Sequence, residues 1–339
     1  MAAEKILVVG GAGYIGSHVV LQLINNRWDV VILDNFSTGN ERLVHPDAVL
    51  VKENLGDVGI LDQLFSTHRF AAVMHFAALS QVGESVQQPL LYYRNNISET
   101  LTLLEVMIRH RVLSLIFSST AAVYGEPECI PIPETHPCRP SNPYGRTKLT
   151  IEHLLADCDV AYGLKYMALR YFNAAGADEF GMVGEMHSPE THLIPIVLET
   201  AAGRRNHICV YGTDYPTPDG TCIRDYVHVN DLAAAHLLAL EALLANGKSN
   251  IYNIGNDIGY SVRAVVKKTE EIVGKRVPVI ETGRRPGDPA ILIASSEKIR
   301  TELGWLPAYE GIDMMISSAW NWLVQDTWNA GQNSIFSPI

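Results

Sequence analysis

Positive charge is in short supply in this 339-residue chain. Lys and Arg number 26 against 37 Asp and Glu, a formal net charge of −11, and neither half of the chain is basic. That argues against a nucleic-acid or anionic-membrane partner. A small anionic ligand stays open, because a few Arg can be focused in one cleft. No apolar run approaches the ~18 residues that a membrane helix needs. The stretch Ile6-Leu7-Val8-Val9 behind Lys5 is too short for a signal-peptide core and runs straight into Gly10-Gly11. Cysteine is sparse. Cys129, Cys138, Cys158, Cys209 and Cys222 include no C-x-x-C pair, so they signal neither a zinc knuckle nor a redox pair and read as reduced thiols of a cytoplasmic protein. The 12 His show no HExxH or similar spacing. His18, His75, His187, His192 and His228 read as packing or surface groups, and no metal is expected. Internal repeats and low-complexity tracts are missing too. Trp305, Trp320, Trp322 and Trp328 read as core residues and not as a ligand box.

What is present is about two domains' length of globular chain, 47% apolar and 19% charged. The first 120 residues alternate short β-branched runs with amphipathic segments. Strands are expected at Lys5–Gly10, Val30–Asp34, Val49–Lys52, Ala71–Phe76 and Val112–Ser118, with helices at Tyr14–Asn26, Leu61–Thr67 and Leu90–Arg109 between them. Asn142–Tyr162 follows as a helix and Lys165–Leu169 as a strand. This alternation predicts an α/β fold with a doubly wound parallel sheet, helices on both faces. After Asn173 the texture changes, with Gly, Pro, His and acidic residues interrupting the pattern. We expect a first domain over 1–173 and a smaller mixed α/β lobe over 174–339, with Asn250–Ile254 a candidate to return to the main sheet.

Two constellations carry chemistry. Gly10-x-x-Gly13-x-x-Gly16 joins the first strand to the first helix. Glycines there permit a tight turn and close backbone approach, and the helix N-terminus offers N–H groups and positive potential to a pyrophosphate. The second strand ends in Asp34, 18 residues after Gly16. A carboxylate there can bind both ribose hydroxyls of an adenosine and would repel a 2′-phosphate, so the pattern points to NAD and not NADP. The second constellation is Ser118-Ser119-Thr120 at a strand end, followed by Tyr144 and Lys148, four apart and so on one helix face. A nearby ammonium stabilises phenolate, and a Tyr so tuned can take a proton from a hydroxyl and return it. Alone, a Tyr and a Lys at this spacing are a common surface pair; beside a dinucleotide turn they are a candidate active site.

These motifs resemble the extended short-chain dehydrogenase/reductase family. Longer stretches resemble its nucleotide-sugar 4-epimerase branch, among them Val31-Ile32-Leu33-Asp34-Asn35, His75-Phe76-Ala77-Ala78, Asn142-Pro143-Tyr144-Gly145, Leu169-Arg170-Tyr171-Phe172-Asn173, Tyr211–Thr221, Arg224–Val229 and Arg285-Pro286-Gly287-Asp288. The match covers nearly the whole chain. It implies a Rossmann-type sheet with a C-terminal lobe gripping uridine diphosphate, and interconversion of UDP-glucose and UDP-galactose. Tyr144 would take the 4-hydroxyl proton while C4 gives a hydride to tightly bound NAD. The 4-keto sugar would then turn over and receive the hydride on its other face. Thr120 would hydrogen-bond the 4-oxygen, and Lys148 would hold the nicotinamide ribose and keep Tyr144 acidic.

The resemblance further sets Tyr14, Ile15, Asn35, Asn54, Leu55, Phe76, Ala77, Ala78, Asn95, Ser118 and Tyr171 against NAD. It sets Asn173, Arg224 and Arg285 on the diphosphate, Asp288 on the uridine ribose, Tyr211 near the uracil, and His192, Leu193 and Leu292 in the substrate pocket. It also implies a homodimer through helices Leu90–Arg109 and Asn142–Tyr162.

Departures from the family pattern are informative. Asn54 stands where members often have an Asp for the adenine, Ser80 where some have a Lys, and His192-Leu193 where an Asn-Leu pair meets the phosphates. Leu292 replaces a bulky Tyr of some members and would leave room for a 2-acetamido group. A nucleotide-sugar dehydratase or decarboxylase shares the first step, but dehydratases place an Asp-Glu pair after the Thr, where this chain has Ala121-Ala122. An epimerase of a UDP-uronate or UDP-pentose, a net dehydrogenase and an NAD-sensing regulator are the other readings; the last predicts a broken Tyr–Lys pair.

Overall fold

The computed structural model describes residues 4–285 and 287–335, without the side chains of 246 and 326–335. Pro286 and the side chain of Trp328 thus lie outside the described residues. The first half runs β1 (Lys5–Val9), α1 (Tyr14–Asn25), β2 (Asp29–Leu33), β3 (Val49–Val51), α2 (Val58–Thr67), β4 (Phe70–His75), α3 (Val82–Gln87), α4 (Pro89–Tyr92), α5 (Glu99–Arg109), β5 (Ser114–Thr120), α6 (Pro143–Tyr162) and β6 (Lys165–Tyr171). The second runs β7 (Asn173–Ala175), α7 (Leu193–Ala201), β8 (Ile208–Tyr211), β9 (Ile223–His228), α8 (Val229–Asn246), β10 (Asn250–Ile254), β11 (Gly259–Ser261), α9 (Val262–Val273), β12 (Val279–Thr282), β13 (Ile291–Leu292), α10 (Glu297–Leu303) and α11 (Ile312–Ile335).

Seven strands form one sheet in the order β10-β6-β5-β4-β1-β2-β3, and every neighbouring pair is parallel. The period-2 alternation of the strands explains the layering. Ile6, Val8, Ile32, Met74 and Ile116 face α1 and α8, contributing Val19, Leu23, Leu232 and Leu240. Leu7, Val9, Leu33, Val73 and Phe117 face α2, α5 and α6, with Leu61, Leu103, Ile151 and Leu155. Both faces being covered, the strands are nearly continuous apolar runs, as parallel sheets require. The direction of winding reverses between β1 and β4, which opens a crevice at the carboxyl edge.

The chain after β6 builds a smaller second layer: β7, β11 and β13 all pair with β9, and β12 pairs with β8. Helices α7, α9 and α11 pack Leu198, Val265 and Met315 against Tyr226. Strand β10 nonetheless pairs with β6, and α8 lies under the main sheet, so the chain crosses back before finishing. Trp305 is fully buried in the main core, and Trp322 packs with Leu21, Leu43 and Val183.

One element differs from its sequence pattern. The apolar spacing from Leu90 to Arg109 suggests one helix, but a π-helical turn at Tyr93–Ser98 separates α4 from α5. Its cause is Asn96, a buried amide on the apolar face. Asn96 accepts from Leu79 N at 2.9 Å and donates to Leu79 O at 3.0 Å and Thr147 Oγ1 at 3.1 Å. Widening of this kind often sits at functional sites; here it leaves Asn95 on the wall of the central cleft. No helix among the described residues is long and apolar enough to cross a membrane.

Candidate active site

The carboxyl edge of the sheet and the second layer enclose one cleft of about 1410 Å³. Sites for a single drug-sized ligand run to about 1,000 Å³, so this one has room for more. Asn54 stands apart from the other expected site residues. It is exposed, accepts a hydrogen bond from Asn35 Nδ2 at 2.9 Å, and does not line the cleft, while Asn35 does.

At one end lies the glycine turn. Gly10 has φ +81°, and a Cβ there would fall 2.6 Å from Ala77 N; one on Gly16 would fall 2.1 Å from Gly10 O. These two glycines are demanded by the chain's own packing. Gly13 is different: an added Cβ would meet only Gly10 O, at 3.4 Å, so it would point into open cleft. Helix α1 starts beside it with no side-chain cap and no acid in its first turn. The first-turn N–H groups of Tyr14, Ile15 and Gly16 are therefore left to face an anion. Asp34 is fixed by the turn itself, its carboxylate accepting from Ala12 N and Phe36 N, both at 2.9 Å. Burial raises its pKa, and these two bonds oppose the rise. Leu55, Phe76, Ala77 and Ala78 complete this end. Open space over Gly13, free amides below it and a fixed carboxylate at the strand end fit a dinucleotide.

The reacting groups stand at the end of β5. Asn142 caps α6 by accepting from Gly145 N at 2.9 Å, with Pro143 in the first turn. Tyr144 and Lys148 then share the face toward the strand. Lys148 is almost fully buried; its Nζ donates to Ser118 O at 2.7 Å and lies 4.8 Å from the centre of the Phe117 ring. Burial pushes its pKa down to about 7, against the pull of Glu152. Tyr144 exposes part of its area, but desolvation of the phenol pushes its pKa up to about 12, and the Thr120 hydroxyl hydrogen bond pulls the other way. In this arrangement the Lys148 ammonium is engaged by Ser118 O, and the hydrogen bond that lowers the Tyr144 pKa comes from Thr120. Thr120 also accepts from Ala122 N at 3.1 Å. Tyr171 hydrogen-bonds Ser118. Behind this row, Glu152 receives Ser119 Oγ and the Arg170 guanidinium, which fixes the rotation of α6.

The second layer supplies the opposite wall. Asn173, Leu193, Tyr211, Arg224, Arg285, Asp288 and Leu292 line it. Arg224 and Asp288 pair with each other at 2.8 Å, and the Arg285 guanidinium stacks 3.8 Å from the Tyr211 ring centre. Contacts to a diphosphate and a ribose would require these pairs to reorganise. Leu292 sits beside Arg224 across β9, in register. His192 is half-exposed, and its Nδ1 lies 2.8 Å from Glu190 Oε1. Burial opposes charge on His192, but Glu190 and Glu185 outweigh it and raise its pKa to about 9. The sequence pattern overlooks His187, Glu190 and Arg205, which also line the cleft. His187 and Glu190 belong to an irregular loop with no helical or strand period; the run Glu185-x-His187-x-x-Glu190-x-His192 was the available signal. By contrast, His18, His75 and His228 are deeply buried, and desolvation lowers their pKa to about 4, 3 and 3.

Residues 6–255 match the model of the NAD dependent epimerase/dehydratase family. The chain belongs to the NAD dependent epimerase/dehydratase family. Among curated members, it is 52% identical to a UDP-glucose 4-epimerase of Halalkalibacterium halodurans over 317 residues, 94% of this chain and 95% of that one. The UDP-glucose 4-epimerase of Brucella ovis, solved in complex with NAD, superposes with a TM-score of 0.91 at 47% identity, covering 94% of this chain and 98% of that one. The enzyme from Bifidobacterium longum, solved with NAD+ and UDP, gives a TM-score of 0.91 at 39% identity, covering 95% and 99%. In an epimerase/dehydratase family member the glycine turn carries a direct test. Gly13→Ala should fold normally by circular dichroism and lose at least about tenfold in NAD affinity, roughly 1.4 kcal/mol. Gly16→Ala should fail to reach the wild-type unfolding midpoint.

Proposed function

We propose that this protein interconverts UDP-glucose and UDP-galactose, holding NAD as a prosthetic group. The observation that carries this reading is Tyr144, with Thr120 on its phenol and Lys148 one turn away, in the same cleft as a dinucleotide-type turn. The named relatives support the substrate. NAD, when bound, supplies a hydride acceptor for C4 and returns the hydride later. The residues do the rest. Tyr144 takes the proton of the 4-hydroxyl as the C4–H bond breaks, and gives it back when that bond re-forms on the other face. Thr120 holds the 4-oxygen. With a phenol at about 12, Tyr144 is protonated in the free protein at neutral pH, so its activation depends on positive charge entering the cleft. Lys148, poised near 7, supplies part of it by moving from Ser118 O toward the ribose and phenol.

Residues 1–173 would hold NAD and residues 174–339 would hold the nucleotide, with α8 and β10 returning to the first unit. Arg224 and Arg285 suit the diphosphate, Asn173 and His192 flank it, Asp288 takes the uridine ribose and Tyr211 the uracil. Gripping the nucleotide end while the sugar end turns uses remote binding energy to position the reacting carbon. Ala121 and Ala122 next to Thr120 leave an elimination at C5–C6 without its acids, which disfavours a dehydratase. A homodimer is favoured by exposed apolar side chains, Leu90 and Leu91 on α4, Leu101 on α5 and Val160 on α6. Five free thiols favour the cytoplasm.

Purified protein should convert UDP-galactose to UDP-glucose without added NAD and without stoichiometric NADH. Tyr144→Phe should lower kcat by about 10²–10⁴ and leave NAD bound; near-normal turnover would defeat the mechanism. Leu292 on the substrate wall would leave room for a 2-acetamido group, and UDP-GlcNAc is then expected to be epimerised as well. Its rate, read by product chromatography, should exceed about a thousandth of that on UDP-glucose; a lower rate would sink the broader specificity.

A further inference from the structure

We propose that Glu185, His187, Glu190 and His192 bind one divalent transition-metal ion of the zinc class beside the cleft. One ligand atom from each lies within 4.8 Å of all the others. Four donors around zinc sit roughly 3.3–3.6 Å apart at bond lengths of about 2.0–2.2 Å, so small side-chain rotations would close the set. Burial supplies the second line of support. The Glu185 and Glu190 side chains are 9% and 5% exposed, and two carboxylates that deep need strong compensation. His187 Nδ1 meets the Glu185 carboxylate and His192 Nδ1 meets Glu190 at 2.8 Å, so each imidazole already faces one of these carboxylates.

The donor set of two imidazoles and two carboxylates selects zinc or a neighbouring transition metal over magnesium or calcium, which prefer oxygen alone. The backbone is already tied down. Glu185 O accepts from Trp322 Nε1 at 2.9 Å, Glu190 Oε1 accepts from Thr191 N and His192 N, both at 2.7 Å, and Arg205 donates to Glu190 O at 3.3 Å. The bound ion would fix the loop that brings His187, Glu190 and His192 to the cleft wall. It would also offset two negative charges near the place that the proposed reading gives to a diphosphate.

The competing arrangement is a set of His–carboxylate ion pairs that needs no ion. Metal content separates the two, and it does not depend on turnover. Protein made without a metal-affinity tag, purified with its cofactor, should carry close to one zinc-class ion per chain by plasma mass spectrometry. After stripping with a chelator, Zn2+ alone should restore the ion and raise the thermal unfolding midpoint, and Mg2+ should do neither. Glu185→Gln and His187→Asn should each weaken Zn2+ binding at least about tenfold with unchanged far-UV circular dichroism. If either variant misfolds, the stripped wild-type chain titrated with Zn2+ decides. Less than about a tenth of an equivalent of metal, with no shift of the midpoint at Zn2+ ~100-fold over protein, would overturn the proposal. A Zn2+ response equal to wild type in a Glu185→Gln/His187→Asn double variant would overturn it as well.

Discussion

A single buried ammonium sets the terms for the site. Lys148 is 2% exposed, and a charge at that depth must find polar partners. It finds the carbonyl of Ser118 and the face of Phe117, both on β5. In this arrangement these contacts help to set the rotation of helix α6 against the strand. Glu152, one turn further along, is gripped by Ser119 and Arg170 and closes off any other setting. Tyr144, one turn earlier, is delivered to the strand end, where Thr120 meets it. Burial also sets the protonation of the pair. Both residues are pushed toward their neutral forms, Tyr144 up and Lys148 down. Positive charge arriving in the cleft would lower the phenol's pKa. A base that forms only when the site is filled suits a reaction in which a proton is borrowed and returned.

The parallel sheet makes this placement possible. Winding reverses between β1 and β4, so the ends of β1, β2, β4 and β5 all open toward one crevice. The glycine turn, Asp34, the Phe76–Ala78 wall and Thr120 are successive strand ends along that edge. The second layer then closes the crevice from the opposite side, bringing Arg224, Arg285 and Asp288 over it. An acidic chain can hold an anionic ligand here because its few cations on this wall are concentrated.

Legibility in the sequence followed covalent spacing. The glycine turn, the acid at the end of β2 and the Tyr–Lys pair are each defined within one strand–helix junction or one helical turn, so local periodicity sufficed to find them. The strand alternation was readable for the same reason, whereas the pairing of Asn250–Ile254 with the distant β6 stood in the sequence only as a candidate. Other features depend on distant partners and left little trace. The π-helical turn hangs on Asn96 reaching Leu79 and Thr147. Asn54 looked like a ligand by alignment, yet it turns to Asn35. Arg224 and Asp288, 64 residues apart, pair across the second layer. Glu185, His187, Glu190 and His192 converge on a loop whose spacing obeys no helical or strand period.

On the proposed mechanism the hydrogen on C4 leaves and returns inside the cleft, with Tyr144 handling only the proton. UDP-galactose carrying deuterium at C4, converted in ordinary water, tests it most directly by mass spectrometry and NMR of the product. Retention of essentially all the deuterium at C4 of UDP-glucose is the predicted result. Replacement of that deuterium by solvent hydrogen would contradict it, because the C4 hydrogen would then have travelled as a proton and not as a hydride.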